Sequence, residues 1–165
     1  MVECEKESGE LEELRSEARA LLKEARTGVL ATLGRAEGTP YASVVDVAGA
    51  PKGGDLLLLL SDLAEHTRNL RVDARASVVV ADAQGEGEVL ERGRASFQGR
   101  VESVRGEALE ALREHYLRCH PQARGYVGFA DFNLYVLRVD RVRFVAGFGR
   151  MGWIEGEVWH ALTED

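Results

Sequence analysis

The chain is poor in cysteine and has no long hydrophobic run. Its 165 residues include two cysteines, Cys4 and Cys119, too few for the disulfide framework of a small secreted domain. The longest apolar run, Leu56–Leu60, is far too short to span a bilayer. The N-terminal residues also lack the basic and apolar regions of a signal peptide. We therefore expect a cytoplasmic protein with no membrane partner.

Positive charge and the common catalytic motifs are scarce as well. Lys and Arg number 21 against 28 Asp and Glu, and the formal net charge of -7 disfavours a nucleic-acid partner, which requires a broad positive field. Neither a Gly-x-Ser-x-Gly nucleophile motif nor a Walker sequence is present, so hydrolase and P-loop functions have little support. His115 and Cys119 lack a third and fourth ligand nearby, which predicts no metal site. We assign no catalytic residue.

The composition that remains is typical of one globular domain. Hydrophobic residues make up 45% of the chain and charged residues 30%, enough for a packed core and a solvated surface. No repeat, low-complexity tract or linker divides the chain. We expect a mobile N-terminus over residues 1–9, a single domain over residues 10–155 and a C-terminal tail over residues 156–165.

The hydrophobic periodicity predicts a β-rich chain with peripheral helices. Helical spacing covers Glu10–Arg26 and Glu107–Tyr116, and Gln84–Glu88 has the glycine and glutamate content of a loop. The apolar parity changes at Asp140-Arg141, which predicts a turn or a bulge there. Strand patterns cover seven segments: Val29–Leu33, Tyr41–Val47, Leu56–Leu60, Ser77–Ala81, Arg94–Val101, Phe132–Val139 and Val142–Val145. The expected class is mainly β with peripheral helices (α+β), in an antiparallel, closed or nearly closed barrel.

A compact polar group follows the leucine run. Ser61 ends the predicted strand, and His66, Thr67, Arg68 and Asn69 come a few residues later. Hydroxyls, an imidazole and a guanidinium at the mouth of a buried strand suit a phosphate group. An ordinary surface helix over Ala64–Arg71 explains the same residues. The sequence of this segment alone does not distinguish the two interpretations.

Four segments follow one another in a characteristic order. They are Thr27-Gly28-Val29-Leu30-Ala31-Thr32-Leu33, Pro40-Tyr41-Ala42-Ser43-Val44-Val45, Ser61 with His66-Thr67-Arg68-Asn69-Leu70, and Gly147-Phe148-Gly149-Arg150. Together they resemble the pyridoxamine 5'-phosphate oxidase-related FMN-binding split barrels, and most closely their HugZ-like branch. The resemblance extends from Leu11 to Ile154 and rests on the order of the motifs.

This resemblance implies a homodimer of antiparallel split β-barrels with two FMN sites at the subunit interface. His66 stands where many relatives carry a phosphate-binding lysine, so Thr67, Arg68 and Arg94 would supply the remaining contacts. For Arg94 and Arg150, solvent exposure or a structural ion pair is the alternative to a ligand contact. Trp153 suits core or dimer packing, and the alternative is that it covers the aromatic ring of the cofactor. The implied cofactor contacts are Ser43, Val44, Val45, Leu60, Ser61, His66, Thr67, Arg68, Asn69, Arg94 and Arg150.

Three functions follow from the resemblance. The first is an FMN-binding oxidoreductase-like protein whose small-molecule substrate is unknown; authentic pyridoxamine 5'-phosphate oxidase activity is disfavoured because no Arg-x-His-type segment follows Gly149. The second is a haem-binding or haem-degrading protein, for which His160 is the one histidine near the end of this sequence. The third is a noncatalytic dimeric adapter, like a plant relative that binds glutamyl-tRNA reductase.

Overall fold

The computed structural model describes residues 2–82, 88, 91–147 and 149–161, with side chains from Gly9 onward. Most of the predicted loop Gln84–Glu88 and the side chain of Cys4 therefore lie outside the described residues. None of the helices within this range combines the length and the apolar character that a membrane span requires.

Helices flank the sheet at both ends of the chain and at two internal positions. α1 begins at Val2, so residues that we expected to be mobile are helical, and it ends at Glu24, two residues before the predicted boundary. The chain leaves α3 just before Pro121, whose ring removes a backbone N–H. The described helices are α1 (Val2–Glu24), α2 (Glu65–Leu70), α3 (Ala108–Cys119), a 3-10 helix (Pro121–Gly125) and α4 (Gly156–His160).

Strands in the described part of the chain form one antiparallel sheet. Its order is β2-β1-β5-β6-β7-β4-β3, and β8 also pairs with β7. This architecture confirms the predicted class, mainly β with peripheral helices. The strands are β1 (Thr27–Leu33), β2 (Pro40–Asp46), β3 (Ala48–Gly49), β4 (Leu56–Ser61), β5 (Arg75–Ala81), β6 (Arg94–Ser103), β7 (Phe132–Val145) and β8 (Met151–Glu155).

The predicted irregularity at Asp140-Arg141 is a bulge within β7. Gln98 pairs with Arg141 and the next residue, Gly99, pairs with Val139, so Asp140 is the extra residue. A Cβ atom on Gly99 would lie 1.8 Å from the Arg138 carbonyl oxygen, and only glycine permits this approach. The prediction of a separate strand over Val142–Val145 is wrong, because the bulge restores the pairing and the strand continues.

Two hydrophobic clusters explain why the leucine run does not alternate. Leu56, Leu58 and Leu60 belong to the barrel interior, together with the apolar face of α1. Leu57 and Leu59 point the other way and pack in a second cluster beneath α3. A strand that is covered on both faces needs apolar residues at every position. β4 is therefore the most completely buried strand of the sheet.

The last described helix completes the barrel interior. The side chain of Trp159 is 0% exposed, its Nε1 donates a hydrogen bond to the Gly54 carbonyl oxygen at 3.0 Å, and its ring centroid lies 5.7 Å from that of Phe97. We predicted a tail from residue 156. The structure corrects this boundary, because Gly156–His160 is a helix whose tryptophan fills the core.

Candidate functional site

α2 brings His66 against the edge strand β2. Ser43 pairs with the buried Leu30 and so points to the barrel interior, where its Oγ lies 2.9 Å from Nδ1 of His66. Burial lowers the pKa of His66 below its ordinary value, so the imidazole is neutral at neutral pH. Among the described residues its Nε2 has no hydrogen-bond partner. The site thus presents a neutral imidazole nitrogen whose ring orientation is set by a serine.

Thr67 and Asn69 of α2 are turned into the core. Both side chains are fully buried, and Asn69 Nδ2 donates to Thr32 Oγ1 at 3.1 Å. Within the described chain, Thr67 Oγ1 and Asn69 Oδ1 have no hydrogen-bond partner. Arg68 is exposed while Thr67 and Asn69 are inside, so these three side chains do not converge within the protomer, and their contact with a cofactor stays a prediction. A plain surface helix does not describe α2 either.

Leu60 and Ser61 have structural roles at the end of β4. Leu60 lies in the barrel core. Ser61 Oγ donates to Asp131 Oδ2 at 2.6 Å and accepts the Leu63 N–H at 3.1 Å, which holds the turn between β4 and α2. A hydroxyl committed to both neighbours has little left for a ligand. Leu60 and Ser61 thus have structural contacts in this chain, and their role as cofactor contacts stays a prediction.

Three valines form an exposed row across the outer face of the sheet. Val29 pairs with Val44 on one side and with Val79 on the other, so the three side chains stand next to one another. Val44 is 73% exposed, and the other two are also exposed. Val45, next to Val44, is buried on the opposite face. We call Val29, Val44 and Val79 the outer valine row.

The same row continues into basic and aromatic side chains. Val79 pairs with Ser96, Ser96 with Arg143 and Arg143 with Trp153. The guanidinium carbon of Arg143 lies 5.7 Å from the centroid of the Trp153 ring, and that of Arg141 lies 4.6 Å from it, within cation–π range. Trp153 is 43% exposed, so it does not pack in this protomer's core. We call Arg141, Arg143 and Trp153 the arginine–tryptophan cluster.

The other predicted arginines lie away from His66. Arg94 begins β6 on the same outer face as Ser96, opposite to the face that carries Ser43. Arg150 Nη2 contacts Glu17 Oε1 at 2.7 Å and Glu13 Oε2 at 3.4 Å, and the Glu17 carboxylate raises the pKa of Arg150. Arg150 therefore makes a structural ion pair, which was one of the two alternatives for this residue, the other being a ligand contact. The ion pair connects the loop before β8 to α1.

The three remaining histidines hold the backbone in place. Each has a ring nitrogen within hydrogen-bond reach of a main-chain carbonyl oxygen, and in His160 both nitrogens are so placed. Across the described ranges, no group of three or more metal-ligating side chains occurs. The contacts are His115 Nε2 with Gly49, His120 Nε2 with Val47, and His160 with both Gly53 and Val139.

Sequence reasoning missed the outer valine row and the arginine–tryptophan cluster. The signal is present in the alternation of β7, where Arg141 and Arg143 flank the buried Val142. It is present in β1 too, where both faces carry apolar residues although one of them is solvent-exposed. The row becomes visible only once the pairing of β2, β1 and β5 is known, and the sequence of a single segment does not reveal that pairing.

The sheet order, with β2 and β3 on opposite edges and helices outside, defines the class of an antiparallel split β-barrel. Residues 10–161 match the family described as CREG, beta-barrel, and the chain belongs to this family. It is 32% identical over 132 residues to an Arabidopsis thaliana protein named "Non-canonical heme oxygenase HOZ, chloroplastic", covering 79% of this chain and 40% of that protein.

Solved structures show the same fold. A heme binding protein from Mycobacterium smegmatis is 39% identical with a TM-score of 0.82, and the match covers 89% of this chain and 60% of that one. HutZ from Vibrio cholerae, described as a heme storage protein, is 23% identical with a TM-score of 0.67, covering 86% of this chain and 94% of that one; it supports the fold alone. The chain thus spans less than two thirds of the first two relatives.

Proposed function

We propose that the protein binds haem. The observation that carries this proposal is the outer face of the sheet. There the outer valine row and the arginine–tryptophan cluster lie along one line of paired residues that crosses neighbouring strands. Haem has an apolar macrocycle and two carboxylates, so it suits a face that is apolar at one end and basic at the other. The Arabidopsis relative is named a heme oxygenase and the Mycobacterium relative a heme binding protein, which supports the same ligand.

His66 is the residue that would hold the iron. A ligating histidine is neutral, and its second ring nitrogen is held by a neighbouring polar group. His66 meets both conditions, because burial keeps its imidazole neutral and Ser43 Oγ contacts Nδ1. Nδ1–H would donate to Ser43 and leave the lone pair of Nε2 for the metal. His160, the candidate from the sequence, has both ring nitrogens at carbonyl oxygens and is not free to ligate.

We propose that a second copy of the chain covers the outer valine row and that haem lies at the free edge of β2, where the interior face that carries Ser43 and His66 meets this contact. Contiguous exposed valines on a sheet are a typical self-association surface. The propionates would pair with Arg141 and Arg143 of the second copy, because within one protomer four strand spacings, about 19 Å in all, separate Arg143 from Val44. When bound, haem would supply iron-centred oxygen chemistry of the kind that a haem oxygenase uses. The chain's own contribution is to orient the iron through His66 and to exclude water with the valines.

FMN is the second ligand to consider, and the polar group near α2 fits it less well. A phosphate monoester carries close to two negative charges and requires converging donors. In this chain His66 is neutral, Thr67 and Asn69 are buried, and Arg68 is the basic residue of the group that reaches solvent. An oxidoreductase bound to FMN would therefore need phosphate contacts that α2 does not bring together.

The test is a pair of titrations, with haem and with FMN, followed by absorption spectroscopy. We expect a saturable Soret change with haem and no saturable change with FMN. Val44→Asp places a charge on the outer valine row and should weaken haem binding by at least about tenfold. Val72→Asp is the matched control, because Val72 is 67% exposed and lies after α2; it should bind as the parent does.

Other results would redirect the proposal. Saturable binding of FMN without haem would contradict it and favour a flavoprotein. A folded dimer that binds neither compound would favour the adapter function. Equal loss of haem binding in Val44→Asp and Val72→Asp would place the ligand away from the outer face.

A further inference from the structure

A second concave site lies where the end of α1 meets the β3–β4 turn and α3. Its volume is about 500 Å³, within the range of small-molecule pockets. The outer face contributes nothing to it. Its polar lining consists mainly of basic and sulfur-bearing side chains: Arg19, Lys23, Arg26, Lys52, His115 and Cys119.

Two of the cavity's basic residues, Lys23 and Lys52, are lysines, a residue type that is rare in this chain. The sequence contains three lysines, and Lys23 and Lys52 both line this cavity. Many arginines elsewhere contact a carboxylate, as Arg35 does with Glu65 and Arg75 with Asp73. Within the described residues, neither of these lysines has a carboxylate oxygen within 4.0 Å. Two exposed lysines therefore line the same space without a carboxylate in contact.

The arginines of the cavity are held by carbonyl oxygens and not by acids. Arg26 Nη1 donates to the carbonyl oxygens of Lys23 and Ala25 at 3.0 and 2.8 Å, so it caps the end of α1. Arg19 Nη2 donates to the Trp159 carbonyl oxygen, and its guanidinium lies 4.8 Å from the Trp159 ring centroid. Among the described residues, neither guanidinium group is within 4.0 Å of a carboxylate oxygen.

Positive charge is concentrated at this wall, and Arg19 is its partly buried member. Burial lowers the pKa of Arg19, and the neighbouring charge of Arg15 lowers it further. Arg19 Nε is buried without a hydrogen-bond partner among the described residues. Glu24 is the acidic member of the lining and faces four basic residues. In a protein of net charge -7, such a local reversal of sign favours an anion.

We propose that this cavity binds a small molecule through an oxyanion, a phosphate or a carboxylate. Lys23 and Lys52 are the flexible contacts that close on the anion, since an ammonium group binds oxyanions as a point charge from many directions. Arg19 and Arg26 supply the fixed positive wall. The volume exceeds that of a bare anion and leaves room for an organic body against Leu22, Ala50 and Pro51. This site is independent of haem.

The experiment is isothermal titration of the full chain at low salt with two probes, pyrophosphate and citrate. Lys52→Glu should weaken the better probe by about tenfold or more, because it replaces an attractive charge with a repulsive one. Arg105→Glu makes the same change of charge on an exposed arginine outside this cavity and should leave the affinity within about twofold. Preference for pyrophosphate or for citrate then identifies a phosphate or a carboxylate ligand.

Two results would overturn the proposal. One is the absence of saturable binding of either probe to a chain whose circular dichroism shows that it is folded. The other is an equal loss of affinity in Lys52→Glu and Arg105→Glu, because a general field effect would then explain the binding. Because Lys52 is exposed in a turn, we expect both variants to fold.

Discussion

Replacement of Trp159 by alanine should strongly destabilise the fold, because this residue of α4 closes the barrel interior. Its side chain is fully buried, contacts Phe97 and donates a hydrogen bond to Gly54. Removal of a buried tryptophan costs about 3–5 kcal/mol, a large part of the 5 to 15 kcal/mol, roughly, that is typical of a domain. Trp159→Phe should cost less, with about 1 kcal/mol attributable to the lost hydrogen bond.

The assay is urea unfolding followed by far-ultraviolet circular dichroism. With a slope of about 2 kcal/mol per molar urea, a loss of about 4 kcal/mol moves the midpoint down by about 2 M. Trp153→Ala is the matched control, since that tryptophan is 43% exposed; it should cost about 1 kcal/mol or less. If the two alanine variants had the same midpoint, α4 would not be part of the core and the reasoning would be refuted.

Three further changes test the fold and the site. His66 has a lowered pKa in the folded chain, so on acidification the unfolded chain takes up a proton at this residue first. The free energy of unfolding should therefore fall as the pH drops below about 6.5. His66→Gln should flatten this part of a curve of stability against pH. Gly99→Ala forces a Cβ onto the Arg138 carbonyl and should cost more than about 2 kcal/mol in urea unfolding; a neutral result would mean that the bulge is not required. Asp55 accepts hydrogen bonds from Arg138 Nη1 and Val139 N, so Asp55→Asn should lower the melting temperature through a loss of about 1.5–3 kcal/mol, and an unchanged melting temperature would argue against this network.

The secondary structure was largely predictable because most strands bury one face. The alternation in β6 placed Ala95 and Phe97 inside and was read correctly from the sequence. The change of parity near Asp140 located the bulge, but the sequence could not distinguish a bulge from a turn, because that choice depends on pairing with Gly99. α4 was missed since five residues are too short for helical periodicity, and Trp159 is buried by distant partners.

The residues predicted to form one phosphate site do not all point the same way in the structure. The helical rotation of α2 sends the side chains of its consecutive residues Thr67, Arg68 and Asn69 in different directions. The sequence alone does not show which of these polar side chains is buried. His66 remains a candidate because Ser43 of the adjacent strand β2 contacts its ring. The outer valine row could not be predicted, since it arises from the register of three strands that are distant in the sequence.

The most direct test of the account is the optical and electron paramagnetic resonance spectrum of the haem complex in His66→Ala and in His115→Ala. His115 is the control because its Nε2 is committed to the Gly49 carbonyl oxygen. The account predicts that His66→Ala shifts the Soret band, changes the spin state of the ferric iron and weakens haem binding, while His115→Ala preserves all three. Identical spectra and affinities in the parent and in His66→Ala would contradict the assignment of His66 to the iron.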